Sequence, residues 1–167
     1  MSALHLAANQ TEVIGEKNTP ASGVYRDVKL GPHCRLILDG VEVALEDITL
    51  ERIGTRSVEL INGASLTLGE VAFASIGAGI AYRIGPGCSL LLDANRAEPE
   101  IIENTTVEFA SNGTGTLKFV PFVNPEWRAL PDLVGWKEGD VVTLVQMRPE
   151  RFRIEEGRIA PIAPPSA

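Results

Sequence analysis

Apolar and polar positions alternate in short bursts along most of the chain: Val41-Glu-Val-Ala-Leu45, Ile48-Thr-Leu50, Val58-Glu-Leu60, Val71-Ala-Phe73 and Val107-Glu-Phe109. A period of two marks strands with one face buried and one wet. Turn residues separate the bursts at Asp39-Gly40, Asn62-Gly63, Gly85-Pro-Gly87 and Asn112-Gly113. Such pairs punctuate rather than continue regular structure. Val43 to Arg52 could be laid on a helix, but the β-branched Ile48, Thr49 and Ile53 favour extended backbone. No stretch before residue 120 has convincing helical spacing, and Val43 to Arg52 is read as strand.

The bursts recur. Leu30-Gly-Pro-His-Cys-Arg-Leu-Ile-Leu-Asp39 lies over Ile84-Gly-Pro-Gly-Cys-Ser-Leu-Leu-Leu-Asp93 without a gap, 54 residues further on. Ile61-Asn-Gly-Ala-Ser-Leu-Thr-Leu68 and Ser111-Asn-Gly-Thr-Gly-Thr-Leu-Lys-Phe119 are looser copies, and aligning Leu36, Leu66, Leu90 and Leu117 gives steps of 30, 24 and 27. Self-similarity at this period is the mark of units that bury their apolar faces only by stacking on one another. The expected fold is therefore an all-β parallel β-helix, a β-solenoid, with an irregular C-terminal cap. A β-sandwich or jelly roll is the alternative, because short strands with frequent turn signals suit it too.

One domain is expected, with residues 1–22 as an N-terminal extension or cap, 23–119 as the repeats and 120–167 as a Pro-rich loop plus terminal strands. Pro121, Pro125 and Pro131 forbid regular pairing just after Val120. Strand patterns resume in Val141 to Met147, Phe152 to Ile154 and Arg158 to Ile162, the last two across a Glu156-Gly157 turn.

Composition narrows the picture. Of 167 residues, 44% are hydrophobic but only 5% aromatic, with 16 Gly and 11 Pro. The core must then be filled by Leu, Ile, Val and Ala between close-set turns. A net charge of −7 opposes nucleic-acid binding and docking on anionic membranes. No apolar run approaches the roughly 20 residues of a membrane span. Met1-Ser-Ala-Leu-His-Leu-Ala-Ala lacks the basic and apolar regions of a secretory signal. A cell-surface or extracellular location reached by a signal-less route is favoured over the cytoplasm. Two cysteines cannot make a disulfide framework.

The segments Val107-Glu-Phe-Ala-Ser-Asn-Gly-Thr-Gly-Thr-Leu-Lys-Phe119 and Leu133-Val-Gly-Trp-Lys-Glu-Gly-Asp-Val-Val-Thr-Leu144 resemble the end modules of β-solenoids in bacterial surface adhesins and autotransporter-like passenger proteins. The resemblance covers about residues 107–144. It implies that Gly135 and Gly139-Asp140 shape a turn, that Trp136 packs the open end, and that Val141 to Leu144 form a further rung.

Candidate chemistry is sparse. His5 and His33 are the only histidines, too few for a His-based triad. His33 reads as a turn residue, since Gly87 stands in its place in the second copy. Cys34 and Cys88 match in the repeat and are expected as small core residues stacked inward two turns apart, out of disulfide reach. Asp39 and Asp93 also match and are expected to cap turns rather than bind calcium. With Gly31 and Gly85 they complete the repeat. Glu42, Glu46, Asp47 and Glu51 read as a solvated acidic face rather than a catalytic pair. Trp127, Trp136, Tyr25 and Tyr82 could stack on sugar, although the two Trp fall where the stack must be covered. No catalytic, metal or cofactor residues are assigned, and the chain is read as a non-enzyme. The expectation is a structural subunit that self-associates into a filament, surface layer or adhesin. A carbohydrate-binding module is the alternative, and a polysaccharide-active enzyme ranks last.

Overall fold

The computed structural model describes residues 2–15, 23–73, 77–97, 99–124, 126–146 and 150–162. The chain coils as a parallel β-solenoid of about five turns. The strands follow in order β1 (Ser2–Leu6), β2 (Thr11–Ile14), β3 (Gly23–Leu30), β4 (Arg35–Asp39), β5 (Glu42–Leu45), β6 (Ile48–Leu50), β7 (Gly54–Ile61), β8 (Ser65–Leu68), β9 (Val71–Phe73), β10 (Ala78–Ile84) and β11 (Ser89–Asp93). A 3₁₀ turn (Ala94–Arg96) and helix α1 (Pro99–Glu103) come next. They precede β12 (Thr106–Phe109), β13 (Thr116–Val120), β14 (Asp132–Val134), β15 (Val141–Leu144), β16 (Phe152–Glu155) and β17 (Arg158–Pro161).

Register divides the coil into three faces. On the first, β5, β8, β11, β13 and β15 stack in that order, with the front half of β3 beside β5. The back half of β3 pairs with β6, and β6 with β9, making the second face. β3 can serve both because it bends at Asp27, whose φ of 54° turns the corner. The third face stacks β2, β4, β7, β10, β12 and β14.

Every second side chain points inward and meets its like from the coil below. Leu36, Val58, Tyr82 and Val107 form one buried column, and Val43, Leu66, Leu90 and Leu117 another. Each fully buried aliphatic side chain is worth about 1.5–3 kcal/mol, so continuous columns hold the stack together. Tyr25 and Tyr82 are core residues, 5% and 2% exposed, and offer no platform for sugar.

The structure corrects the phase of the repeat. Leu36 stands on the third face against Val58, whereas Leu66, Leu90 and Leu117 stand together on the first. The gapless copies share a turn geometry rather than a rung. In both, the cysteine N–H closes a turn on the glycine carbonyl (3.2 Å for Cys34 to Gly31, 3.1 Å for Cys88 to Gly85). The residue before each cysteine adopts positive φ, 61° at His33 and 69° at Gly87. Yet the first corner leads from the second face to the third, and the other from the third to the first. Cys34 and Cys88 are buried as expected but lie on different corners, not one above the other.

A second difference falls at residues 94–103, inside the region read as showing no helical spacing. On this coil the second face carries the 3₁₀ turn and α1, held to β9 by a single bridge between Val71 and Ala97. Pro99 starts the helix with φ already suited to it. Ile101 and Ile102 are buried beneath it. Five residues are too few to show a helical period.

The ends differ. Within residues 2–14, β1 pairs with β3 and β2 with β4, continuing two of the faces. At the other end the β16–β17 hairpin folds over the last coil. Its Phe152 is buried, Ile159 packs on the core, and Gln146 ties it down by donating to the Phe152 carbonyl at 2.7 Å.

Candidate functional site

The third face carries a charged ladder on its outside. Glu59, Arg83 and Glu108 are in register on β7, β10 and β12. Arg35 bonds Glu59, Arg83 lies 3.6 Å from Glu59, and Arg83 lies 3.4 Å from Glu108. The charges neutralise one another along the trough. Little is left for a ligand.

The corner between the first and second faces is different. Val28, Ile48 and Val71 are in register, so the residues before them, Asp27, Asp47 and Glu70, follow one another up the corner at a strand spacing of about 5 Å. The Val71–Ala97 bridge places Arg96 next in the column. Asp27 accepts from His5 at 3.1 Å, but the carboxylates of Asp47 and Glu70, whose backbone carbonyls bond Val28 and Ile48, have no hydrogen-bond or ion-pair partner among the described residues. Beside the 3₁₀ turn lies a cleft of about 480 Å³, lined by Asp47, Thr49, Glu70, Asn95, Arg96 and Trp127.

Trp127 reaches this cleft from the Pro-rich segment, and Asn95 is what holds that segment in place. The Asn95 amide donates to Asp93 Oδ1 (3.1 Å) and to the Pro121 carbonyl (2.9 Å), and its oxygen accepts from Val123 N–H (2.8 Å). Phe122 between them is buried, and the Trp127 ring stands edge-on to it, centroids 5.4 Å apart at 85°. Trp127 is 46% exposed on the flank of the coil. It does not cover the end, as sequence placed it.

Trp136 does pack at the end. Its Nε1 donates to the Asp140 carbonyl at 2.8 Å, and its ring lies directly beneath Gly157, where a Cβ would meet it at 2.1 Å. Gly139 takes a φ of 102° with the Gly113 carbonyl in the space a Cβ would need. Asp140 is buried and accepts from the Ser111 hydroxyl, from Gly115 N–H at 2.8 Å and from Lys137 N–H at 2.9 Å. Burial pushes its carboxyl up, but these donors outweigh that and hold it below the usual carboxylate range.

Asp39 accepts from Asn62 Nδ2 at 2.7 Å, and Asp93 caps the 3₁₀ turn by accepting from Asn95 N–H at 2.9 Å. Burial raises both cysteine thiols, with Arg56 pulling Cys34 the other way. Glu42 and Asp47 are exposed and Glu46 pairs with Arg26 at 2.7 Å. Among the described residues, no group of three His, Cys, Asp or Glu could hold a metal ion, and no helix is long and apolar enough to cross a membrane.

Sequence reasoning missed Arg56. It is fully buried, donating from Nε to the Leu30 carbonyl (2.8 Å) and from Nη1 to those of Arg52 (2.6 Å) and Gly54 (2.7 Å). The alternation Arg56, Val58, Leu60 already pointed it inward. Sequence also missed Glu70 and Asn95, whose roles depend on neighbours far along the chain. No family model matches this chain, and neither a curated protein nor a solved structure matches it.

Proposed function

We propose that the protein is a non-catalytic structural solenoid that pairs with a second copy of itself through the outer edges of β1 and β2. The observation behind this is the asymmetry of the ends. β1 pairs only with β3 and β2 only with β4 among the described residues, while the hairpin overlies the opposite end. Gln10 gives its carbonyl to Arg35 N–H and Leu6 gives its own to Gly31 N–H. Because parallel strands bond on alternate residues, the backbone groups of His5, Thr11 and Val13 point away from the stack. Such an edge is a template for another strand. A covered far end stops head-to-tail growth, which favours a closed two-fold pair over the open filament expected from sequence.

Light scattering across a wide concentration range tests this. The mass should rise from one chain to two, and Val13→Pro, which removes an outward N–H and no bond to β4, should hold it at one with thermal unfolding little changed. One chain at every concentration, or fibres in micrographs, would overturn the closed pair.

A further inference from the structure

We propose that the cleft between the Asp47–Glu70 corner and Trp127 binds a neutral pyranose sugar, free or as a unit of an oligosaccharide. Four observations converge on that ligand chemistry. The first is the indole. It is half exposed, yet fixed by its edge contact with buried Phe122 and by a bond from its backbone N–H to the Asn124 carbonyl at 3.1 Å. A ring already held in place presents apolar area with little entropy left to lose, and a pyranose has a matching face of C–H groups.

The second is the pair of carboxylates. Asp47 and Glu70 are exposed and one strand spacing apart, and their carboxylates have no partner among the described residues, unlike the matched charges of the third face. An ionised carboxylate only accepts, and the several hydroxyls of a sugar supply the donors that two such groups can take. The third is the mixed charge. Arg96 enters the same cleft, with its nearest anion, Asp93, loosely placed at 3.9 Å. A guanidinium beside the acids repels a cationic peptide, while the acids, in a chain of net charge −7, repel uronic or sulfated sugars. A neutral polyol meets neither penalty. The fourth is size. About 480 Å³ lies in the range of small-molecule sites.

The site is on the flank, away from β1 and β2, so its fate is separate from that of the pairing proposal. The test is a titration of the full chain with neutral gluco-, manno- and xylo-oligosaccharides, followed by indole fluorescence and calorimetry. Saturable binding to at least one of them is expected. Trp127→Ala should weaken it roughly tenfold or more and abolish most of the fluorescence change. Glu70→Gln, a milder change at an exposed position, should weaken it severalfold, and Arg83→Gln on the third face should leave it unchanged. Polygalacturonate and oligolysine serve as the anionic and cationic probes and should not bind. Silence with every neutral sugar, wild-type affinity in Trp127→Ala, or binding of oligolysine alone would each overturn the proposal.

Discussion

Asp140 shows how one side chain can close a corner that sequence marks only as Gly-Asp. Its carboxylate gathers three donors from two stretches of chain, Ser111 and Gly115 in one corner and Lys137 beside it. Since its folded pKa lies below the unfolded value, the ionised form favours the folded state. That stability is fully present above the ordinary carboxylate value of about 4 and is lost as the pH falls through the lower folded value. Thermal unfolding should therefore shift downward over that acid window. Asp140→Ala, which strands three donors, should cost about 2–4 kcal/mol near neutral pH and flatten this acid dependence, as paired melts would show. Arg56 is the contrasting case: three carbonyls receive its Nε and Nη1, but its Nη2 is buried without a hydrogen-bond partner among the described residues, and burial holds the guanidinium below its usual range.

At the scale of elements, the corner proves to be the recurring unit. The Gly-Pro-x-Cys turn is the same object at residues 31–34 and 85–88, used on two different corners of the coil. The 3₁₀ turn and α1 are the one described place where a strand of the second face gives way to helix, and the cleft lies beside that exchange. Asn95 couples this element to the Pro-rich segment through bonds to Val123 and Pro121 at 2.8 and 2.9 Å. Asn95→Ala should lower stability by about 1–2 kcal/mol, since two backbone groups lose their partner. It should also loosen residues 121–124, seen as faster amide exchange there and easier quenching of Trp127, with Trp136 unaffected. Equal loosening of both indoles would show that Asn95 supports the whole stack.

For the whole molecule the governing fact is that a stack has two ends and this one treats them differently. The hairpin packs on Trp136 beside the last coil, whose β14 and β15 are otherwise unpaired on their outer sides among the described residues, while the first coil turns backbone groups outward with nothing packed over them there. Truncation after Val145 removes the hairpin and should convert the closed pair into assemblies that lengthen with concentration, visible in micrographs. A truncated chain that still stops at two copies would show that the hairpin is not what limits growth.

Strand parity, the turn punctuation, the aliphatic core and the break at Pro121 were all legible from sequence, because each depends on neighbours within about ten residues. So was the solenoid itself, since repeated short strands that cannot bury a face alone must stack. Which corner each repeat occupies was not legible. The Gly-Pro-x-Cys motif specifies a local turn, and turns of one geometry close more than one corner, so the 54-residue spacing spans two coils and one further face. The cleft was equally hidden. Asp47, Glu70, Arg96 and Trp127 are scattered over the chain, and only the stacking register, with a helix standing in for one strand, brings them to a single opening.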